Sequence, residues 1–310
     1  MKILIIGDLH GRKPIIQFKD FDCIVQIGDV CDDKEISPYI RQWFKDIKNS
    51  KEEITDEEFI IQKVGKKEFK KMKGNSLKKG NEILKYLDSF GKPIFFVPGN
   101  WDQSFGKTKI KNPDKNDYLD YKSWFDHYLG KEINPKLIKG IKNLINCQFK
   151  LKNFKGINFL GHGLHSGVLK PQLVKKKRKF TKKQYSVLVK CYNSLLNILK
   201  KEYMKRNKKF PTIFISHSVP YNTKLDIGLQ KDSYAYKKHL GAPSTLDFIK
   251  KYQPLLCVGG HIHEHFGKIK IGKTIVINAG FGKYAQVLID LDEKKGKIRK
   301  IEFCGKYKIK

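Results

Sequence analysis

Five short stretches of the chain carry side chains able to hold cations or move protons, and each follows an apolar run. GDLHG at 7–11 sets Asp8 and His10 one residue apart, and GDV at 28–30 supplies Asp29. PGNWD at 98–102 supplies Asn100 and Asp102, ISHS at 215–218 supplies His217, and GGHIH at 259–263 supplies His261 and His263. Taken singly, each is the kind of polar turn that ends many strands. Together they put carboxylates, a carboxamide and imidazoles at the same end of successive predicted strands, beside glycines that let the backbone approach closely. Such donors, with no thiolate among them, suit Mn, Fe or Zn in a hydrolytic site, where a shared carboxylate bridges two ions about 3.5–4 Å apart.

To converge, these residues need a sheet whose strand ends lie side by side. The runs KILIIG (2–7), CIVQIG (23–28), PIFFVPG (93–99), TIFIS (212–216) and LLCVGG (255–260) read as buried strands, and ligands bind off the C-terminal edge of such sheets. Helices are expected around 34–49, 77–90, 119–129, 181–206 and 244–252, giving α/β layering. INFLGHG, KTIVINAG, YAQVLIDLD and KIRKIEF are strand-like with short turns between the last of them, so a second, more antiparallel sheet is expected there. The charged stretch 50–76 and the basic run 170–183 read as insertions.

The ordered set D-x-H, GD, GN-x-D, H and GH-x-H resembles the calcineurin-like metallophosphoesterase superfamily, with motifs running from residue 8 to residue 263. The resemblance implies an α/β fold, a four-layer α/β-β/α sandwich of two mixed sheets flanked by helices. It further implies a single domain over 1–310 with insertions near 34–90, 105–140 and 165–210. Carried over by motif, Asp8, His10 and His263 hold one metal, Asp29 bridges, and Asn100, His217 and His261 hold the other. Manganese is the first candidate, with iron, zinc and nickel as others. The implied chemistry is hydrolysis of phosphodiesters, or of phosphomonoesters, by a hydroxide between the two ions, with Asp29, Asn100 and Asp102 among the catalytic residues.

One motif departs from the family's commonest form, GNHD, whose His protonates the leaving oxygen. Trp101 stands there, and an indole N–H is not a usable acid. Three explanations stay open: a proton from elsewhere, phosphodiesters with good leaving groups, or weak activity. His162, in the loop GHGLHS with His165, is the expected compensating catalytic residue. His265 is expected beside the site or on the surface, and His127 and His239 as structural. Trp101 is expected to pack beside the metal loop, and Tyr221, Asn222 and the segment 226–241 to form a substrate-facing lid.

The 310-residue chain has 40% hydrophobic residues, sufficient for a core, and a formal net charge of +33 that draws anionic substrates. The basic residues are nearly all Lys, with Arg only at 12, 41, 178, 206 and 299, so compositional bias explains much of the charge. The partners implied are a phosphoester substrate, with one of nucleotide type and a nucleic acid as alternatives; no membrane is implied, and oligomeric state is left open. A nuclease with the same metal chemistry and a metal-binding scaffold without turnover are the competing readings. A zinc amidohydrolase fits poorly, because its HxH belongs early in a barrel. Six cysteines without a CxxC pair read as free thiols, and the first apolar run is too short for a signal-peptide core, so a cytoplasmic location is expected.

Overall fold

The computed structural model describes residues 1–47, 54, 56–105, 131–163, 170–175, 180–231 and 236–305. The chain begins β1 (Lys2–Ile6) and β2 (Cys23–Gln26), passes through α1 (Ser37–Ile47), α2 (Asp56–Val64) and α3 (Lys66–Asp88), and returns as β3 (Ile94–Phe96). A small ribbon of β4 (Gln103–Phe105) and β5 (Lys131–Ile133) precedes β6 (Leu144–Asn146), β7 (Leu151–Phe154) and β8 (Ile157–His162). Next come α4 (Pro171–Lys175), α5 (Lys182–Met204), β9 (Thr212–Ser218), α6 (Pro243–Tyr252) and β10 (Leu256–Gly260). The last strands are β11 (Phe266–Ile271), β12 (Thr274–Ala279), β13 (Gln286–Asp292) and β14 (Lys297–Cys304).

These form two mixed six-stranded sheets, ordered β14-β13-β1-β2-β3-β6 and β11-β12-β10-β9-β8-β7. In each, four adjacent strands are parallel, with antiparallel strands at the margins. Strand alternation accounts for the layers. Ile3, Ile5, Val25 and Phe95 of one sheet meet Phe159, Ile213, Ile215 and Val258 of the other in the central core, with Phe95 and Phe159 stacked at 3.9 Å. The opposite faces bury Leu4, Ile24 and Phe96 under Ile83, Leu84 and Leu87 of α3, and Phe214, Cys257 and Val276 under Leu199 of α5 and Phe248 of α6. Strands covered on both faces read as continuous apolar runs, which is why these five were visible in the sequence.

Two expectations need correction. The strands expected in a second, more antiparallel sheet do not form a sheet of their own: β8 and β12 join the second sheet, whereas β13 extends the first antiparallel to β1 and β14 pairs antiparallel with β13 at its edge. Either sheet offers an equivalent apolar face, so alternation alone does not choose between them. The second helix begins at Lys66, not near 77, because Phe69, Met72, Ser76, Gly80, Ile83 and Leu87 continue one buried stripe at helical spacing through the charged run. At Gly80 a side chain would press on Leu137 and Cys31, so the glycine lets α3 lie close to the loop after β2. The helix expected at 119–129 lies outside the described residues. Near 181 the start is set by a capping box, Thr181 accepting from the Gln184 N–H and the Gln184 side chain accepting from the Thr181 N–H.

The described cysteines are free, five of them buried. Among the described residues no helix is long and apolar enough to cross a membrane.

Candidate metal centre

Asp8 and His10 leave β1, Asp29 leaves β2, Asn100 leaves β3, His217 lies near the end of β9, and His261 and His263 leave β10. All five are parallel strands, so their C-terminal ends open on one edge of the sandwich, and the side chains meet there. His10 Nε2 and His217 Nε2 each lie 3.4 Å from the same atom, Asp29 Oδ2. Asp8 contacts His263 Nε2 at 3.6 Å and His217 Nδ1 at 3.7 Å, and its Oδ2 accepts from the His261 N–H at 2.6 Å. Asp29, His217 and His261 bring ligand atoms within 4.8 Å of one another. His10, Asp29 and His261 hold left-handed backbone, at φ 43°, 52° and 67°. That conformation costs roughly 1–2 kcal/mol per residue and is tolerated best by Asp, Asn and His.

Surrounding groups aim these side chains. The His217 Nδ1 is 3.0 Å from the Ile27 carbonyl, which fixes the tautomer and turns Nε2 inward. Asp33 Oδ2 sits 3.1 Å from His10 Nδ1 on the far side of the ring from Asp29. Phe281 stacks on His263 at 4.2 Å and meets the edge of His10 at 5.5 Å. Beneath, the buried Gln26 amide donates to the Gly7 and Gly28 carbonyls, tying the first two loops together.

One end of the Asn100 carboxamide lies 3.1 Å from His217 Nε2, 3.2 Å from His261 Nδ1 and 3.3 Å from Asp29 Oδ2; the other faces the Trp101 indole Nε1 at 3.3 Å. With nitrogen inward, the carboxamide satisfies the surrounding lone pairs and its oxygen accepts the indole N–H. With oxygen inward, it faces Asp29 and His261 Nδ1 and needs a protonated His217 or a cation among them. Trp101 also donates its backbone N–H to Asp29 Oδ1 at 3.0 Å, and its half-buried ring packs on two apolar clusters, as the packing expectation had it.

Asp102 is wholly buried. Its Oδ1 accepts from the Val30 and Cys31 N–H groups, both at 3.0 Å, and its Oδ2 from the Gly99 N–H at 2.9 Å. Both oxygens are spent on backbone, so Asp102 joins the GDV and GNWD loops to each other.

Charge is unevenly compensated. Burial pushes the Asp8 carboxyl up, to about 7, against partial relief from His217 and with added repulsion from Asp29. Burial opposes the Asp29 anion too, but His217, His10 and His261 together hold its carboxyl well below the ordinary range. His217 loses by burial and gains more from Asp29 and Asp8, rising to about 9. The carboxylates therefore demand positive charge at the centre, which a protonated His217 or a bound cation would supply.

The other expected residues lie apart. His162 is fully buried between Phe149 and Phe214, with Nε2 3.2 Å from the Thr245 hydroxyl. Burial and His217 push its pKa down to about 3, so at neutral pH it carries no imidazolium proton to donate, contrary to the compensating role expected of it. The loop glycine beside it and the apolar strand before it signalled a turn; Thr245 of α6, far away in sequence, is what closes over the ring. His265 is buried, its Nε2 2.6 Å from the Ile227 carbonyl. His239 pairs with Asp226 at 2.7 Å. Of the segment expected as a lid, the described ends gather on the buried Asp226, which accepts from the Asn222, Thr223 and Gly241 N–H groups. His127 and His165 lie outside the described residues. Asp33, Phe281 and Gln26 carry no sequence motif and were not anticipated.

The chain belongs to the calcineurin-like phosphoesterase family, matched over residues 1–265, and is accordingly a metal-dependent hydrolase of phosphoesters. It is 27% identical to an uncharacterised protein of Methanocaldococcus jannaschii over 98% of each chain. A solved structure 17% identical in sequence aligns with 98% of this chain and 99% of its own at a TM-score of 0.54, a shared fold. The phosphopantetheinyl hydrolase of Mycobacterium tuberculosis aligns with 91% of this chain and 89% of its own, at 13% identity and a TM-score of 0.43.

Proposed function

We propose that the protein is a phosphodiesterase with a two-metal centre: Asp8, His10 and His263 on one side, Asn100, His217 and His261 on the other, and Asp29 shared between them. The observation that carries this reading is the position of Asp29 Oδ2, equally distant from one histidine of each half. The residues fit divalent cations. Asp8 Oδ1 and the inward-facing His10 Nε2 are buried with no hydrogen-bond partner, and the ligating groups are the oxygen and imidazole types that such ions favour. Bound divalent ions supply Lewis-acid polarisation of the phosphoryl group and ionisation of a water near neutral pH.

The chain's own residues set geometry and selectivity. Ile27 and Asp33 hold the two histidines in place, Asp102 locks the loops that present Asp29 and Asn100, and Trp101 covers one flank with carbon. Trp101 carries no acidic proton and His162 is enclosed by Thr245, Phe149 and Phe214, which favours esters whose leaving group departs as a stable anion. Manganese is the preferred ion and nucleotide-type diesters the preferred substrates.

A panel of nitrophenyl phosphodiester, nitrophenyl phosphate, cyclic nucleotides, dinucleotides and single-stranded RNA, each with Mn, Zn and Mg, tests the proposal. Metal-dependent turnover greatest for the diesters is expected. Silence with every metal would leave a binding protein, and RNA cleavage that collapses with added salt would favour a nuclease. Replacing the missing acid is the sharper probe. Trp101→His is expected to raise kcat/KM for an alkyl diester by about 100-fold relative to a nitrophenyl diester, the usual worth of general acid catalysis. An unchanged ratio would show that position 101 does not face the leaving oxygen.

A further inference from the structure

Immediately beside His10 lies a cavity of about 590 Å³, walled by the loops after β1 and β2, the start of α1 and the middle of α3. Arg12, Lys34, Arg41 and Lys79 line it, together with Asp32 and Asp33. Both acids are partly engaged by the protein itself. Asp33 accepts from the Ser37 hydroxyl at 2.9 Å and faces His10, and Asp32 accepts from the Lys34 N–H at 3.0 Å. Arg12 is already oriented: its Nη1 donates to the His10 carbonyl at 2.9 Å and lies 4.0 Å from Asp33 Oδ1, and its guanidinium lies over the Phe281 ring at 4.7 Å, leaving the Nη2 and Nε N–H groups for a ligand. Arg41 makes no hydrogen bond or ion pair among the described residues. Only five arginines occur in this lysine-rich chain, and two line this one cavity. That is a pair of planar forks suited to phosphate oxygens, unlike the diffuse field of the surface lysines.

Resting on the phosphoesterase reading, we propose that this cavity binds a second phosphate of the substrate, one that is not cleaved, so that the enzyme selects phosphodiesters carrying an additional phosphate monoester. His10 is the hinge between the two subsites, since it lines the cavity with one edge and faces Asp29 with the other. A phosphate held by Arg12 and Arg41 is therefore next door to the reacting one.

Two substrates with one leaving group make the test: thymidine 5′-nitrophenyl phosphate, and the same compound bearing a 3′-phosphate. For the manganese-loaded protein the 3′-phosphorylated compound is expected to have at least about a tenfold higher kcat/KM, and in Arg41→Ala that preference is expected to fall to near unity, the scale of one charge-assisted contact. Arg41 is an exposed helical residue, so the variant folds. A preference absent from the wild type, or unaltered in Arg41→Ala and in Arg12→Ala alike, would overturn the proposal. Should neither compound turn over, the hydrolytic reading fails, and equilibrium dialysis with adenosine 3′,5′-bisphosphate and with adenosine 5′-monophosphate still decides about the cavity. Tighter binding of the bisphosphate by the wild type than by Arg41→Ala supports it, and equal binding of both compounds by both proteins rejects it.

Discussion

Replacing Asp29 with Asn is expected to lower turnover of a nitrophenyl phosphodiester by at least about 1,000-fold, equivalent to about 4 kcal/mol of transition-state stabilisation. The substitution is nearly isosteric, and an amide oxygen can still accept the Trp101 N–H that Oδ1 now receives. What is lost is the negative charge at Oδ2, the one atom facing both His10 and His217. Without it neither half of the centre keeps its central anion, and the Asp8 carboxylate is left to balance His217 by itself. Metal content by mass spectrometry is expected to fall along with activity. A variant that keeps its metal and turns over within about tenfold of the wild type would remove Asp29 from the centre of the proposal.

Asp102→Ala is expected to be the costliest change for stability, although its carboxylate touches none of the proposed ligands. Three buried N–H groups, from Val30, Cys31 and Gly99, would lose their acceptor at once. An unsatisfied buried donor costs about 1–3 kcal/mol, so a total of about 3–5 kcal/mol is expected after partial relaxation and the relief of a buried charge. Asp102→Asn, which keeps one acceptor oxygen, should fall between the variant and the wild type. Denaturant midpoints at constant slope measure this directly. A loss below about 1 kcal/mol would show that the two loops hold their shape without the clamp.

The loops that gather at the candidate centre could be read from the sequence because each belongs to a strand buried on both faces, whose apolar run ends abruptly in a polar residue, in most cases after glycine. Asp8, Asp29, Asn100, His217, His261 and His263 all stand in such a place. The groups that aim them could not. Asp33 lies beside His10 only because the loop after β2 turns back, Phe281 reaches His263 from beyond β12, and the Ile27 carbonyl that orients His217 is separated from it by 190 residues. His162 resembled a loop histidine near a cleft, yet Thr245 and two phenylalanines enclose it, and nothing local announces such a partner. The helix α3 was half-hidden by its lysines, since the charged face dominates the composition while the buried stripe is carried by only a few residues. Which sheet takes β13 and β14 was likewise undecided by patterning that suits either one.

Four of the seven clustered residues ride on the sheet that contains β1, β2 and β3, and the other three ride on the sheet that contains β9 and β10. Between those sheets the seam is otherwise mostly oil: isoleucine, valine and phenylalanine, with no covalent tie. A cation gripped from both sides would therefore rivet the two halves of the sandwich at one rim, and ion loss would be felt as loosening of the whole body as well as silence at its edge.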